Sequence, residues 1–135
     1  MMDQLLLDIQ TPKVKSFENF IIGDNAEAIS IIKKFILDKN LQFFYLWGVE
    51  GSGKSHLSNV VKRSNIFVIE DIETKNNIEQ VEAFNIFNDC KENGKKLFIT
   101  GANSPNNMGL RSDLASRLSW ILSIKLNRYQ IAKRN

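Results

Sequence analysis

The segment Gly48-Val49-Glu50-Gly51-Ser52-Gly53-Lys54-Ser55 sets glycines, a lysine and a hydroxyl at the spacing G-x-x-x-x-G-K-[ST]. Each residue type there has work to do at an anion. Glycines let a backbone curl until several N–H groups converge on phosphate oxygens. A helix beginning just after the turn points its positive end at the same place. Lys54 supplies a full charge to β- and γ-phosphate oxygens, and Ser55 offers a hydroxyl to Mg²⁺. Gly48, Gly51, Ser52, Gly53, Lys54 and Ser55 are therefore the candidate nucleotide-phosphate ligands. The plain alternative is a glycine-rich turn without a ligand. A match at every fixed position arises by chance about once in several hundred chains of this length.

A second constellation follows the apolar run Ile66-Phe67-Val68-Ile69, which ends on Glu70-Asp71. Carboxylates at the end of a strand beside a phosphate cradle can hold Mg²⁺, through water, and orient an attacking water. Glu70 is the candidate metal ligand and Asp71 the candidate catalytic acid. Glu stands where Asp is more usual, and the extra length of about one methylene weakens hydrolysis more than binding. The plain alternative is a solvated acidic turn, since Glu73 and Glu79 are close in sequence.

These residues need elements to position them. Phe43-Phe44-Tyr45-Leu46-Trp47 is continuous and aromatic, as in a buried strand of a parallel sheet. Helical spacing predicts helices over about 25–38, started by Asp24 or Asn25, then 54–62, 78–92 and 110–118. In the third of these, Val81, Phe84, Ile86, Phe87 and Cys90 fall near one face, and Asn93-Gly94 closes it. Further strands are expected at 66–69, 97–100 and 120–126, with a loop over 101–109. Strands alternating with helices imply an α/β three-layer sandwich, of the P-loop NTPase kind, with right-handed crossovers. Ligands bind such sheets outside the carboxyl ends of the strands. The polar groups after Trp47, Ile69 and Thr100 fall there.

Composition bounds the reading. The chain has 135 residues, 43% apolar and 24% charged, the balance of one globular domain. Its net charge of +3 permits an acidic partner without demanding one. Lys125, Arg128, Lys133 and Arg134 make the last stretch more basic. No apolar run is long enough to span a membrane. Met1 to Gln10 carries Asp3 and Asp8 and no basic leader region, so no targeting peptide is expected. Cys90, the sole cysteine, excludes an internal disulfide and suits a reducing, cytoplasmic setting. It reads as a structural thiol, and His56, the sole histidine, as a packing or capping residue.

Four stretches carry a family resemblance: Ser16-Phe17-Glu18-Asn19-Phe20-Ile21-Ile22-Gly23, Phe43 to Leu57 (FFYLWGVEGSGKSHL), Val68 to Glu73 (VIEDIE) and Leu110 to Trp120 (LRSDLASRLSW). Together they resemble the DnaA/Hda group of AAA+ P-loop ATPases, and within it the Hda family, relatives of the replication initiator DnaA that promote its inactivation. The resemblance implies an opening box against adenine and ribose, Walker A and Walker B segments, and bound ATP or ADP with Mg²⁺. It implies that Arg117 is an arginine finger, aimed at the γ-phosphate held by a neighbouring subunit; the plain alternative is a surface arginine near a helix end. Arg111 matches no family arginine. Gln4-Leu5-Leu6-Leu7-Asp8-Ile9 resembles the hexapeptide by which the family docks on the DNA polymerase III sliding clamp. Gln4, Leu5, Leu7 and Ile9 are thereby the candidate partner-binding residues; a first strand packing on the core is the alternative. DnaA and the clamp are the implied partners, without sequence-specific DNA contact and without a membrane, and a homo-oligomer is open.

The sequence also departs from the group. Only fifteen residues separate Ser55 from Asp71, where another strand and helix are usual, so a sheet of about four strands is expected. The end of the chain after the finger segment implies that the small lid with its sensor 2 arginine is absent, which predicts weaker nucleotide binding and poor hydrolysis by the chain itself. ITGANSP puts Ala102 where a polar sensor 1 residue is common, with Asn103 beside it. The expected division is a clamp-binding peptide and linker over 1–15, a reduced AAA+ domain over 16–126 and a basic tail over 127–135. The expected function is a regulator that stimulates hydrolysis of DnaA-bound ATP. The rivals are a stand-alone small P-loop ATPase and a degenerate nucleotide-binding paralogue.

Overall fold

The four apolar runs form one sheet in the structure, a computed structural model that describes residues 25–127. The segment with Gln4, Leu5, Leu7 and Ile9, the Ser16–Gly23 box and the residues after 127 lie outside the described residues. In chain order the elements are α1 (Ala26–Leu37), β1 (Phe43–Trp47), α2 (Lys54–Lys62), β2 (Phe67–Ile69), α3 (Asn77–Asn93), β3 (Leu97–Gly101), α4 (Ser112–Trp120) and β4 (Leu122–Lys125). Single 3₁₀ turns at Ile72–Thr74 and Pro105–Asn107 follow β2 and β3.

The sheet order is β2-β3-β1-β4, and every pair is parallel. Trp47 pairs with Gly101 of β3 and Lys125 of β4, which brings three strand ends level at the carboxyl edge. Alternation along β1 divides the core in two. Phe44 and Leu46 face a cluster with Phe35, Leu57, Val61 and Phe98. Tyr45 faces the other, with Phe87, Cys90, Leu97, Ile99, Leu114 and Leu118. Phe35 meets Phe44 edge-on at 5.4 Å, and Phe43 stacks on Phe87 at 4.2 Å, so aromatic contacts anchor both layers. This is the expected α/β sandwich with four strands.

Several boundaries differ from expectation for identifiable reasons. Asn25 precedes α1 but does not cap it through its side chain. Its buried amide instead donates to the Asn127 carbonyl at 3.0 Å and accepts from the Asn127 amide at 2.8 Å, clasping the two ends of the described chain. The start of α3 is fixed by a reciprocal capping box between Asn76 and Glu79. Only Ala83, Phe87 and Cys90 of α3 are buried; Val81 and Ile86 are exposed, because among the described residues the sheet stops at β2 and leaves the outer face of the helix uncovered. Cys90 sits in the core as expected of a structural thiol, and burial pushes its pKa up. Helix α4 starts two residues later than predicted and runs on to Trp120, which therefore ends a helix instead of opening β4.

Candidate functional site

The turn after β1 has the shape its glycines promise. Gly51 and Gly53 lie at φ 86° and 104°, in the left-handed region that side chains resist. Gly48 is required for a different reason. The Leu126 amide donates to the Trp47 carbonyl at 2.6 Å and the Gly48 amide to the Gly101 carbonyl at 3.2 Å, so β3 and β4 close in on both sides. A Cβ on Gly48 would stand 2.4 Å from the Leu126 carbonyl oxygen. The Ser52 amide donates back to Val49 at 3.2 Å, while the Ser52 side chain is buried and its hydroxyl has no partner among the described residues.

Lys54 opens α2 from this turn. Its ammonium donates to the Gly48 carbonyl and, at 3.3 Å, to the Val49 carbonyl, so the charge lies across the loop. Ser55 follows on the exposed side of the first turn. That turn contains no acidic residue, and the positive end of the helix is not neutralised from within. Gly48, Gly51, Ser52, Gly53, Lys54 and Ser55 are thus gathered at one curl of backbone, with Glu50 exposed in the same loop. An anion such as a phosphate chain matches it.

The acidic turn sits on the same edge, across β3 from the loop. Asp71 is exposed and adopts φ 54°, a conformation that costs a non-glycine residue about 1–2 kcal/mol. It is held there because its amide donates to the Thr100 hydroxyl at 2.9 Å, and Thr100 is buried at the end of β3. Below it, Glu73 accepts from the Ala102 amide at 3.0 Å. Glu70 is engaged elsewhere: its carboxylate pairs with Lys62 of α2 at 2.7 Å. Of the two sequence-predicted acids, Asp71 is therefore the one without an ion pair among the described residues. Ser55 and Asp71 are hard oxygen donors of the kind Mg²⁺ takes alongside phosphate oxygens and water. Thr100 and Glu73 escaped the sequence reading. A threonine closing an otherwise apolar strand was the only signal for the first.

Arg117 is not drawn into this edge. Its guanidinium carbon lies 5.5 Å from the Phe84 ring centre and 5.3 Å from that of Trp120, a cation held between two aromatic faces. Its Nε is buried without a hydrogen-bond partner, and Trp120 is 70% exposed. Arg111 is bound locally, to Asp113 at 3.3 Å and Asn77 at 3.1 Å. That hydrogen bond holds the Asp113 carboxyl below the usual carboxylate range.

No protein-family model matches the sequence. Solved structures do. AMPPCP-bound DnaA from Aquifex aeolicus is similar with a TM-score of 0.74 at 20% identity, over 86% of this chain and 50% of that one. Replication initiator DnaA bound to AMPPCP and single-stranded DNA gives 0.76 at 20% identity, over 86% and 50%. Domain III of the Thermotoga maritima replication initiation protein DnaA gives 0.71 at 19% identity, over 83% and 66%. The chain has the α/β fold of these DnaA structures and spans half the length of the first two.

Proposed function

We propose that this chain is a nucleotide-binding regulator of replication initiation in the DnaA/Hda group. The observation that carries the proposal is the loop 48–55. It holds two glycines at positive φ and Lys54 at the head of α2, on the sheet edge where ligands bind. Among the similar solved structures are two of DnaA bound to AMPPCP.

In this reading the loop amides and Lys54 hold the phosphates of ATP or ADP. Ser55 and Asp71 hold Mg²⁺, which would shield the charge between β- and γ-phosphates. Glu70 steadies the turn through Lys62. Gln4, Leu5, Leu7 and Ile9 dock on the sliding clamp, an apolar pocket taking Leu7 and Ile9 from an extended peptide. Arg117 then meets the γ-phosphate of ATP held by DnaA.

The test follows loss of labelled ATP preloaded on DnaA, with and without clamp loaded on DNA. Clamp-dependent hydrolysis that disappears in Arg117→Ala supports the regulator. A chain that binds nucleotide yet gives no stimulation overturns it. That second outcome is the reading of a nucleotide-binding paralogue without stimulating activity. One observation favours it: the Arg117 guanidinium already has Phe84 and Trp120 for partners.

A further inference from the structure

Strand β2 pairs with β3 only as far as Ile69 opposite Ile99, while β3 runs on to Gly101. The Asp71 amide falls beyond the last pair of that ladder, and the Thr100 hydroxyl accepts its hydrogen bond at 2.9 Å. Thr100 is buried among the apolar residues of β3, where a hydroxyl is costly unless it is bonded. Three further bonds fix the same turn. The Asp71 carbonyl accepts from the Thr74 amide at 2.9 Å and from the Thr74 hydroxyl at 2.7 Å. The Ala102 amide donates to the Glu73 carboxylate at 3.0 Å. None of these four bonds uses the Asp71 carboxylate. The turn is thus strapped to the end of β3, with Asp71 held at φ 54° and exposed. The strap has a firm base, because the loop after β3 is itself held by the Tyr45 hydroxyl at the Asn103 carbonyl. A non-glycine residue persists in the left-handed region only where its surroundings over-determine it, and such residues gather at functional sites.

We infer that Thr100 is a positioning residue for the divalent cation. Its hydroxyl sets the direction of the Asp71 carboxylate, and through it how strongly Mg²⁺ tightens nucleotide binding. Mg²⁺ demands near-ideal octahedral geometry, so a carboxylate turned aside loses the ion or the water that bridges to it. Groups that orient a metal ligand without touching the metal matter for this reason. Resting as it does on the nucleotide reading above, this role concerns the metal alone: the loop 48–55 meets the phosphates whether or not the Thr100 hydroxyl is present. A hydroxyl that merely satisfied a buried amide would affect stability and leave the use of Mg²⁺ untouched.

The test is titration of a fluorescent ATP analogue into the full chain, once with excess Mg²⁺ and once with EDTA. It compares the wild type with Thr100→Val, which keeps the shape of the side chain and removes the hydroxyl. The expected wild-type result is tighter binding with Mg²⁺. Thr100→Val should leave the EDTA affinity unchanged and lower the ratio of the two affinities by about tenfold, the usual loss when a partner of a metal ligand is removed. Thr100→Ser should restore the ratio. Thr100→Ser and Thr100→Ala both shed the methyl and differ only in the hydroxyl, so that pair carries the comparison if the valine variant does not fold. In an Asp71→Asn background, loss of the hydroxyl should change the ratio by less than about twofold, because the effect runs through that carboxylate. A ratio that survives loss of the hydroxyl, or affinities that fall equally in both buffers, overturns the inference. So does a wild type that binds equally with and without Mg²⁺, which leaves the nucleotide reading standing. A wild type that binds in neither buffer overturns the nucleotide reading and this inference with it.

Discussion

The Tyr45 hydroxyl donates a 2.6 Å hydrogen bond to the backbone carbonyl of Asn103. Tyr45 reaches that carbonyl from the middle of β1 by passing over Gly101, where a Cβ would meet its oxygen at 2.1 Å. One buried side chain thus fixes the loop after β3 relative to the strand that leads into the loop 48–55. Tyr45→Phe should leave the core filled and remove the bond, at a cost of about 1–2 kcal/mol. Hydrogen exchange in residues 101–109 should rise more than in the strands.

The same residue predicts a pH response. Burial, with the nearby Glu73 carboxylate, pushes the Tyr45 pKa above its ordinary value of 10.0. The folded state therefore keeps a proton that the unfolded state releases, and stability falls as pH rises above about 10. Thermal melts of the wild type should lose stability across that interval, and Tyr45→Phe should lose less. Equal losses in both proteins would place the alkaline sensitivity elsewhere.

Gly48→Ala should cost ~3 kcal/mol, because the new methyl meets backbone on the opposite strand and cannot turn aside. Gly53→Ala should cost about 1–2 kcal/mol from the left-handed conformation at φ 104°. Chemical denaturation orders the two. The reverse order would mean that β4 does not press on Gly48 as closely as the 2.4 Å approach implies.

Lys54→Ala should leave the fold intact, since the ammonium bonds only loop carbonyls. Nucleotide affinity should drop by about 100-fold, the worth of one charge-assisted contact of ~3 kcal/mol. Titration of a fluorescent ATP analogue checks it. Unchanged affinity would remove the phosphate reading of the loop and with it the proposed function.

Much of this was legible in the sequence because local rules were not overridden. Phe43–Trp47 had nowhere to go but a buried strand, and Gly94 at φ 66° closes α3 as its position promised. The turn between β1 and α2 was readable because both the glycine spacing and the flanking periods agree. What failed were features set by distant chain. Asn25 has the composition of a cap, yet its amide is taken by Asn127. Val81 and Ile86 have the composition of core, yet among the described residues no strand lies beyond β2 to cover them. Thr100 gains its role only when β2 and β3 pair and bring the Asp71 amide to its hydroxyl.

Arg117 separates a presented charge from a merely packed one. Its guanidinium plane is set by Phe84 and Trp120, and each such contact is worth about 0.5–1 kcal/mol at a partly exposed site. Trp120→Ala should therefore reduce stability only slightly while freeing the arginine to sample other directions. If Arg117 acts on DnaA-bound ATP, its orientation matters, and Trp120→Ala should lower the stimulated rate markedly with the charge still present. Arg117→Lys should fail nearly as badly as Arg117→Ala, because lysine keeps the charge but lacks the planar fork and the stacking. An arginine finger is worth about 10³-fold or more in rate, so the assay has ample range. A lysine variant with full stimulation would show that only net charge matters there and would remove the stacking from the mechanism.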